Sequence, residues 1–287
     1  MEQKLSELVV GVEQELKPIF EKVDKICEKN SKKVLQAFQE CKLQEAHLNS
    51  STGYGIDEPG RNKIEEIYSN VFKAEDSLVR SQLISGTHAL AITLSALLRP
   101  GDTMLSITGE PYDTLQTVIG IGKEQSESSL KAYGISYEQI DLIENDFDIP
   151  KIQERLKKQD VKLVEIQRSR GYSTRKSLII EKIEKAIKAI REVNKDVIIM
   201  VDNCYGEFVQ EKEPIEIGAD IAVRVFNEKF RSRNCNIWGL YSREKEFNKT
   251  MCRKANISGN RQRNRTIIKP KYIFYKRAIL CTNSSSK

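Results

Sequence analysis

A chain of 287 residues with 39% apolar and 31% charged side chains is expected to be globular, with enough apolar surface for one large domain or two ordinary ones. Its longest apolar runs, such as Val197 to Val201 and Ile221 to Val223, fall far short of the roughly 18 residues of a membrane span, and the charged start Met1-Glu2-Gln3-Lys4-Leu5 has no apolar signal core, so no membrane partner and a cytoplasmic location are expected. The net charge of +6 conceals two unlike compositions: residues 224–287 hold 17 Lys and Arg against 3 acids, and residues 1–223 hold 30 against 38.

In chain order, Leu5, Leu8, Val9, Val12, Leu16, Phe20, Val23, Cys27, Val34 and Phe38 recur at helical spacing, which predicts a helical segment over residues 1–40, interrupted near Pro18. The polar, glycine-bearing stretch 47–61 reads as a loop with functional potential. A helix around Asn62 to Val71 follows, then one from about Thr87 to Leu98, a Pro100-Gly101-Asp102 turn and a short strand Met104 to Ile107. Strand Lys162 to Gln167 precedes an amphipathic helix striped by Ile180, Ile183, Ile187 and Ile190, and Val197 to Val201 reads as a fully buried strand. Strands alternating with helices predict an α/β fold whose parallel sheet is covered by helices. Beyond Val223 neither strand nor helix period survives. Cysteines 27, 41, 204, 235, 252 and 281 form no CxxC pair, and His47 and His88 are the two histidines, so neither a zinc site nor a disulfide framework is supported.

Three short segments carry candidate chemistry. Ser85-Gly86-Thr87-His88-Ala89 lies between Leu83-Ile84 and a helix, where free amides at a helix start cradle phosphate; Ser and Thr are also ordinary N-caps there. Tyr112, in Gly109-Glu110-Pro111-Tyr112, follows a strand and can stack on a flat cofactor or serve as a turn tyrosine. Asp202 ends a buried strand, where parallel sheets place ligands; a carboxylate there holds a pyridinium nitrogen protonated, or caps the next turn. Gln167, Arg168 and Arg170 also follow a strand, near a cofactor or substrate carboxylate or in a solvated basic turn.

The strings HLNSSTGYGIDEPGR, SGTHAL, GEPYDTLQTVIG, QRSRGYSTRKSL and VDNCYGEFVQEKEPIEIGAD, collinear over residues 40–222, resemble the methionine gamma-lyase-like family, also called aluminium resistance proteins. The resemblance implies the large domain of a fold-type-I enzyme dependent on pyridoxal 5'-phosphate (PLP), occupying residues 41–222 and incomplete, its C-terminal small domain missing. It further implies that Gly86, Thr87 and His88 hold the cofactor phosphate, Tyr112 stacks on the ring and Asp202 pairs with the pyridine nitrogen, while Tyr54 and Arg61 reach a neighbouring subunit's phosphate in a homo-oligomer. The activity implied is elimination of a sulfur leaving group from an amino-acid substrate.

One part of the resemblance fails. The family's PLP-attaching lysine lies downstream of the strand-end Asp in a string similar to Gly-Ser-Leu-Ile-Lys-Asn-Pro-Gly-Gly-Gly, where this chain has Arg224-Val225-Phe226-Asn227-Glu228-Lys229-Phe230-Arg231. Lys229 is the nearest candidate, but its neighbours are wrong. The genetic code constrains what a one-base shift encodes: Asn227 and Glu228 permit only Met or Thr, Glu228 and Lys229 only Lys or Arg, Lys229 and Phe230 only Asn or Ser, and Trp238 with Gly239 forces Gly. With allowed bases throughout, Val223 onward becomes Phe-Gly-Ser-Leu-Met-Lys-Asn-Ser-Gly-Val-Gly-Ile-Ala-Thr-Phe-Gly-Gly-Tyr-Ile-Ala-Gly-Lys-Lys, similar to the family's lysine segment. The expectation is a frameshift near residue 222, residues 223–287 forming an out-of-frame, poorly ordered basic tail, and a truncated product without lyase activity. The competing expectation takes the basic tail at face value as a nucleic-acid-binding arm. A dinucleotide-binding reading fails because no GxGxxG follows the first strand.

Overall fold

The computed structural model describes residues 2–49, 58–80, 83–122, 126–226, 237–243, 246, 247, 250 and 251. Helix α1 (Glu2–Glu40) runs unbroken through Pro18, against the interruption expected from the sequence. Pro18 lies in the exposed half of the helix, and one missing backbone bond there is outweighed by a C-terminal half anchored through buried Asn30, Val34 and Ala37. Asn30 adds two bonds from its Nδ2, to Phe208 O at 3.0 Å and Gln210 O at 3.1 Å. A short 3-10 turn (Glu45–Leu48) precedes α2 (Pro59–Phe72), which begins three residues before the expected start because Pro59 occupies the first turn, where its absent N–H is not missed. Ile64, Ile67, Tyr68, Val71 and Phe72 form its buried stripe.

The remaining elements alternate: β1 (Asp76–Arg80), α3 (Gly86–Leu97), β2 (Thr103–Ser106), α4 (Asp113–Ile119), β3 (Ser136–Gln139), α5 (Ile149–Leu156), β4 (Val161–Gln167), α6 (Ile180–Val193), β5 (Ile198–Asp202), β6 (Ile221–Phe226) and β7 (Ile237–Ser242). They build one seven-stranded sheet in the order β1-β7-β6-β5-β4-β2-β3, with β7 antiparallel to both neighbours and the other pairs parallel. The α/β class expected from the alternation is the one observed. Among the described residues no helix is long and apolar enough to cross a membrane.

Period-two alternation sends successive strand residues to opposite faces. Val164, Ile166, Ile199 and Val201 join Ile183, Ile187 and Ile190 of α6 and the stripe of α2 in one core. Met104, Leu163, Met200 and Val223 join Leu90 and Leu94 of α3 in the other. With both faces covered, β5 is buried at every position, which is why its sequence reads as a continuous apolar run.

The sheet crosses the compositional boundary near residue 222. β6 continues to Phe226, and β7 pairs with β6 and β1 over its length. Arg224, fully buried on β6, places its guanidinium 4.3 Å from the Phe72 ring centroid and 3.5 Å from Glu207 Oε1. Burial pushes the Glu207 carboxyl up to about 7, against the pull of Arg224. The tail beyond Met251, and Lys229 with its neighbours, lie outside the described residues.

Truncating Ile187, which is 2% exposed between α6 and the sheet, removes a packed side chain that the surroundings cannot refill. Ile187→Ala is expected to lower unfolding free energy by about 2–5 kcal/mol in urea denaturation, while exposed Lys185→Ala stays within about 0.5 kcal/mol.

Candidate active site

The site lies at the C-terminal ends of β2, β4 and β5. Asp202 closes β5 with 2% exposure, because the strand delivers it to the same face as Ile198 and Met200. Its Oδ1 accepts the Cys204 N–H at 3.0 Å. Burial raises the Asp202 carboxyl above the usual range, opposed by the Cys204 hydrogen bonds. On the neighbouring strand Gln167 stands in register with Asp202. Gln167 Oε1 accepts the Tyr112 N–H at 3.0 Å, and its Nε2 donates to Ser169 O at 3.1 Å.

Tyr112 caps the start of α4, its ring half-buried. Burial, and next the charge of Asp202, push its phenol up, which places ring and carboxylate in one electrostatic environment. Its hydroxyl lies 3.3 Å from Thr87 Oγ1, which is 2.7 Å from Thr114 Oγ1. Gly171, at φ +57°, lets the segment after β4 fold back onto Tyr112: a Cβ there would lie 3.5 Å from Tyr112 Cβ and 3.2 Å from Gln167 Nε2.

Helix α3 points its N-terminus at this cluster. Ser85 caps it by accepting the His88 N–H at 3.0 Å, and His88 Nδ1 turns back to accept the Ile84 N–H at 3.3 Å. The His88 amide and ring are thus engaged in the cap, whereas the Gly86 and Thr87 amides, as the first two of the helix, have no intrahelical carbonyl to bond and are the donors a bound anion meets. The structure therefore brings Gly86, Thr87, Tyr112 and Asp202 to one sheet edge and uses His88 to shape the helix start. Arg61 lies in the first turn of α2, paired with Glu58 at 3.4 Å, and Tyr54 lies outside the described residues.

Of the basic residues after β4, Arg168 is buried and spent on the protein: it donates to Leu178 O, Asn203 Oδ1, Gly206 O and Gln210 Oε1. This corrects the expectation that Arg168 serves a ligand carboxylate. Gly206 carries no side chain where a Cβ would come within 2.6 Å of Arg168 Nη1. Arg170 is exposed. Two residues not singled out in the sequence line the site: Glu165, with no exposed surface, places its Oε2 2.9 Å from Ser106 Oγ, and Arg175 donates to Gln167 O at 2.8 Å. Among the described residues no group of three or more His, Cys, Asp or Glu could hold a metal. A wide groove lined by Lys162, Lys188, Arg191 and Lys195 lies at the opposite end of β4 and β5, away from the strand ends where parallel sheets bind ligands.

Removing Arg168 takes its donor away from two backbone carbonyls, Leu178 O and Gly206 O, and from two side-chain amide oxygens, Asn203 Oδ1 and Gln210 Oε1. Arg168→Met is expected to cost about 3–5 kcal/mol in chemical denaturation, against less than about 0.5 kcal/mol for Arg170→Ala.

The Gly86–Thr87 amides offer an anion cradle, Tyr112 a flat wall and Asp202 a buried acid, the donor set a phosphorylated pyridine ring requires. Residues 5–226 match the family model for methionine gamma-lyase. An uncharacterized Bacillus subtilis protein, YnbB, is 42% identical over 220 residues, which cover 76% of this chain and 52% of that protein. The chain thus spans about half the length of that curated relative. A crystal structure from Clostridium acetobutylicum, of a candidate cystathionine beta-lyase involved in aluminum resistance, matches with TM-score 0.89 and 37% identity over 98% of this chain and 67% of that one. A carbon-sulfur lyase involved in aluminum resistance from Clostridium novyi NT matches with TM-score 0.82 and 38% identity over 90% and 61%. The sheet is accordingly the fold-type-I large domain, and the chain belongs to the methionine gamma-lyase family.

Proposed function

We propose that the cluster of Thr87, Tyr112 and Asp202 is the PLP site of a carbon–sulfur lyase-type enzyme acting on a sulfur-containing amino acid, and that this chain lacks the lysine needed to complete it. The observation that carries the reading is Asp202: a carboxylate with 2% exposure at a strand end, where a cationic ring nitrogen would offset the cost of its charge. PLP, when bound, supplies an electron sink for the substrate's carbanion. The chain's own residues do the rest. Asp202 would hold the ring nitrogen protonated through opposite charge, Tyr112 would stack on the ring, and the Gly86 and Thr87 amides with the Thr87 hydroxyl would bind the phosphate. Gln167 fixes Tyr112 by its backbone, so the ring wall and Asp202 move as one unit with β4 and β5.

The loss of the lysine follows from a coding-frame change near residue 222. Two observations support it. The family model stops matching at residue 226, although the sheet continues. Arg224, a fully buried cation at the middle of β6, stands where the shifted frame restores glycine; placing a guanidinium there carries a desolvation cost that glycine avoids. No described residue favours the nucleic-acid reading, since the residues beyond Met251 are outside the description.

Titrating the purified chain with PLP is expected to show binding without a visible absorption band that depends on Lys229, and no turnover of cystathionine or methionine. A band lost in Lys229→Ala, together with turnover, would overturn the inactive part of the proposal and leave the site assignment standing.

A further inference from the structure

Beneath the Tyr112 loop lies a second buried carboxyl that the proposed chemistry does not use. Glu165, on β4, alternates with Leu163 and Gln167 and so faces the same side of the sheet as Asp202, with no exposed surface. Its Oε2 lies 2.9 Å from Ser106 Oγ, and the same Ser106 Oγ lies 2.8 Å from Gly109 O. A hydroxyl carries one hydrogen. Two acceptors, Gly109 O and Glu165 Oε2, meet this one hydrogen, and both contacts are satisfied together when the serine hydrogen goes to Gly109 O and the acid supplies its own hydrogen to Ser106 Oγ. Among the described residues Glu165 Oε1 has no hydrogen-bond partner. A bare buried oxygen is a moderate cost for a neutral acid's carbonyl and a severe one for a carboxylate.

Asp202 differs: it accepts the Cys204 amide, a donor that stabilises negative charge. Of two carboxyls facing one another's charge, the one with an N–H donor is the one that ionises. The other groups around Glu165 are Ser106 on β2, Tyr137 on β3, which faces Glu110 and Asp141, and Arg175 after β4. Arg175 directs its guanidinium to the backbone carbonyls of Gln167 and Ser169.

We propose that Glu165 is a neutral positioning residue: it donates its own proton to Ser106 Oγ, commits the serine to Gly109 O, and thereby fixes the Gly109–Tyr112 loop while leaving Asp202 to carry the negative charge of this sheet face. The protonation of Glu165 belongs to the folded chain itself; only its use in reserving Asp202 for a cationic ring rests on the PLP reading. Burial, and then the Asp202 charge, hold the Glu165 carboxyl up to about 8.

A folded-state value raised above the unfolded one gives stability that is full below the unfolded value and lost as pH rises toward the folded value. The window therefore runs from 4.5 to about 8. Glu165→Gln donates from Nε2 to Ser106 Oγ as the neutral acid does and cannot ionise. Without added PLP, the folding equilibrium constant of E165Q relative to the unsubstituted chain is expected to rise about tenfold per pH unit across that window, with Asp202, Glu207 and Glu213 common to both. In parallel, infrared difference spectra between the two chains near pH 6 are expected to show a protonated-carboxyl stretch from Glu165, a readout available from the unsubstituted chain through isotope-labelled glutamate if E165Q fails to fold. A stability difference independent of pH, or absence of that stretch, would show Glu165 ionised and overturn the proposal. Because no PLP is present, either result is separable from failure of the cofactor site.

Discussion

The structure depends on central strands buried on both faces, β2 and β5 at every position. Helices cover both sides, so any polar group at the strand ends must be answered by protein or ligand. Asp202 is the sharpest case: the strand that buries Ile199 and Val201 on one side and Met200 on the other carries Asp202 to its end with 2% exposure. Everything around it responds. The Cys204 amide turns toward its Oδ1, Gln167 in register with it holds Tyr112, and α3 points amides toward the same edge. A strand buried on both faces with a buried carboxyl at its end is what the proposed cationic, flat, phosphorylated ligand would meet.

A second layer of buried polar groups supports this edge from behind. Arg168 ties Asn203, Gly206, Leu178 and Gln210, while Asn203 Nδ2 donates to Glu213 Oε2 at 2.9 Å, and Glu213 Oε1 accepts the Phe208 N–H at 2.8 Å. The turn after Asp202 is thereby held by charge-assisted bonds. Rigid support of this sort keeps a strand-end carboxylate aimed when its partner binds. It also explains why a basic residue immediately after β4 is structural: the even residue Arg168 lies past the end of the strand, where the chain turns inward to the α6 side.

Much of this was legible in the sequence because it depends on local pattern. The uniform apolar run before Asp202 marks a strand buried on both faces, and Ser85-Gly86-Thr87 marks a helix start. The missed features are those that tertiary packing decides. β1, Asp76–Arg80, is short and carries a charge at each end, so its place beside β7 is set by the sheet. Pro18 signalled a break that the exposed face of α1 absorbs. Arg168 read as a candidate ligand because sequence shows charge and not direction, and Glu165 was not singled out within strand Lys162 to Gln167, since its burial is decided by the helices packed on the sheet. The restored frame would place Thr-Phe-Gly-Gly-Tyr-Ile-Ala-Gly over residues 236–243, and β7 occupies 237–242 with a different sequence, since a strand inserted between β1 and β6 is held by backbone pairing on both sides.

The central claim is that the buried charge of Asp202 is what this sheet edge offers a cofactor, and calorimetric titration of PLP into the chain and into Asp202→Asn tests it most directly. Asparagine keeps the size and the acceptor for the Cys204 N–H while removing the charge. The account predicts at least about tenfold weaker binding to the variant, about 1.4 kcal/mol. Equal affinities for the two chains would contradict it.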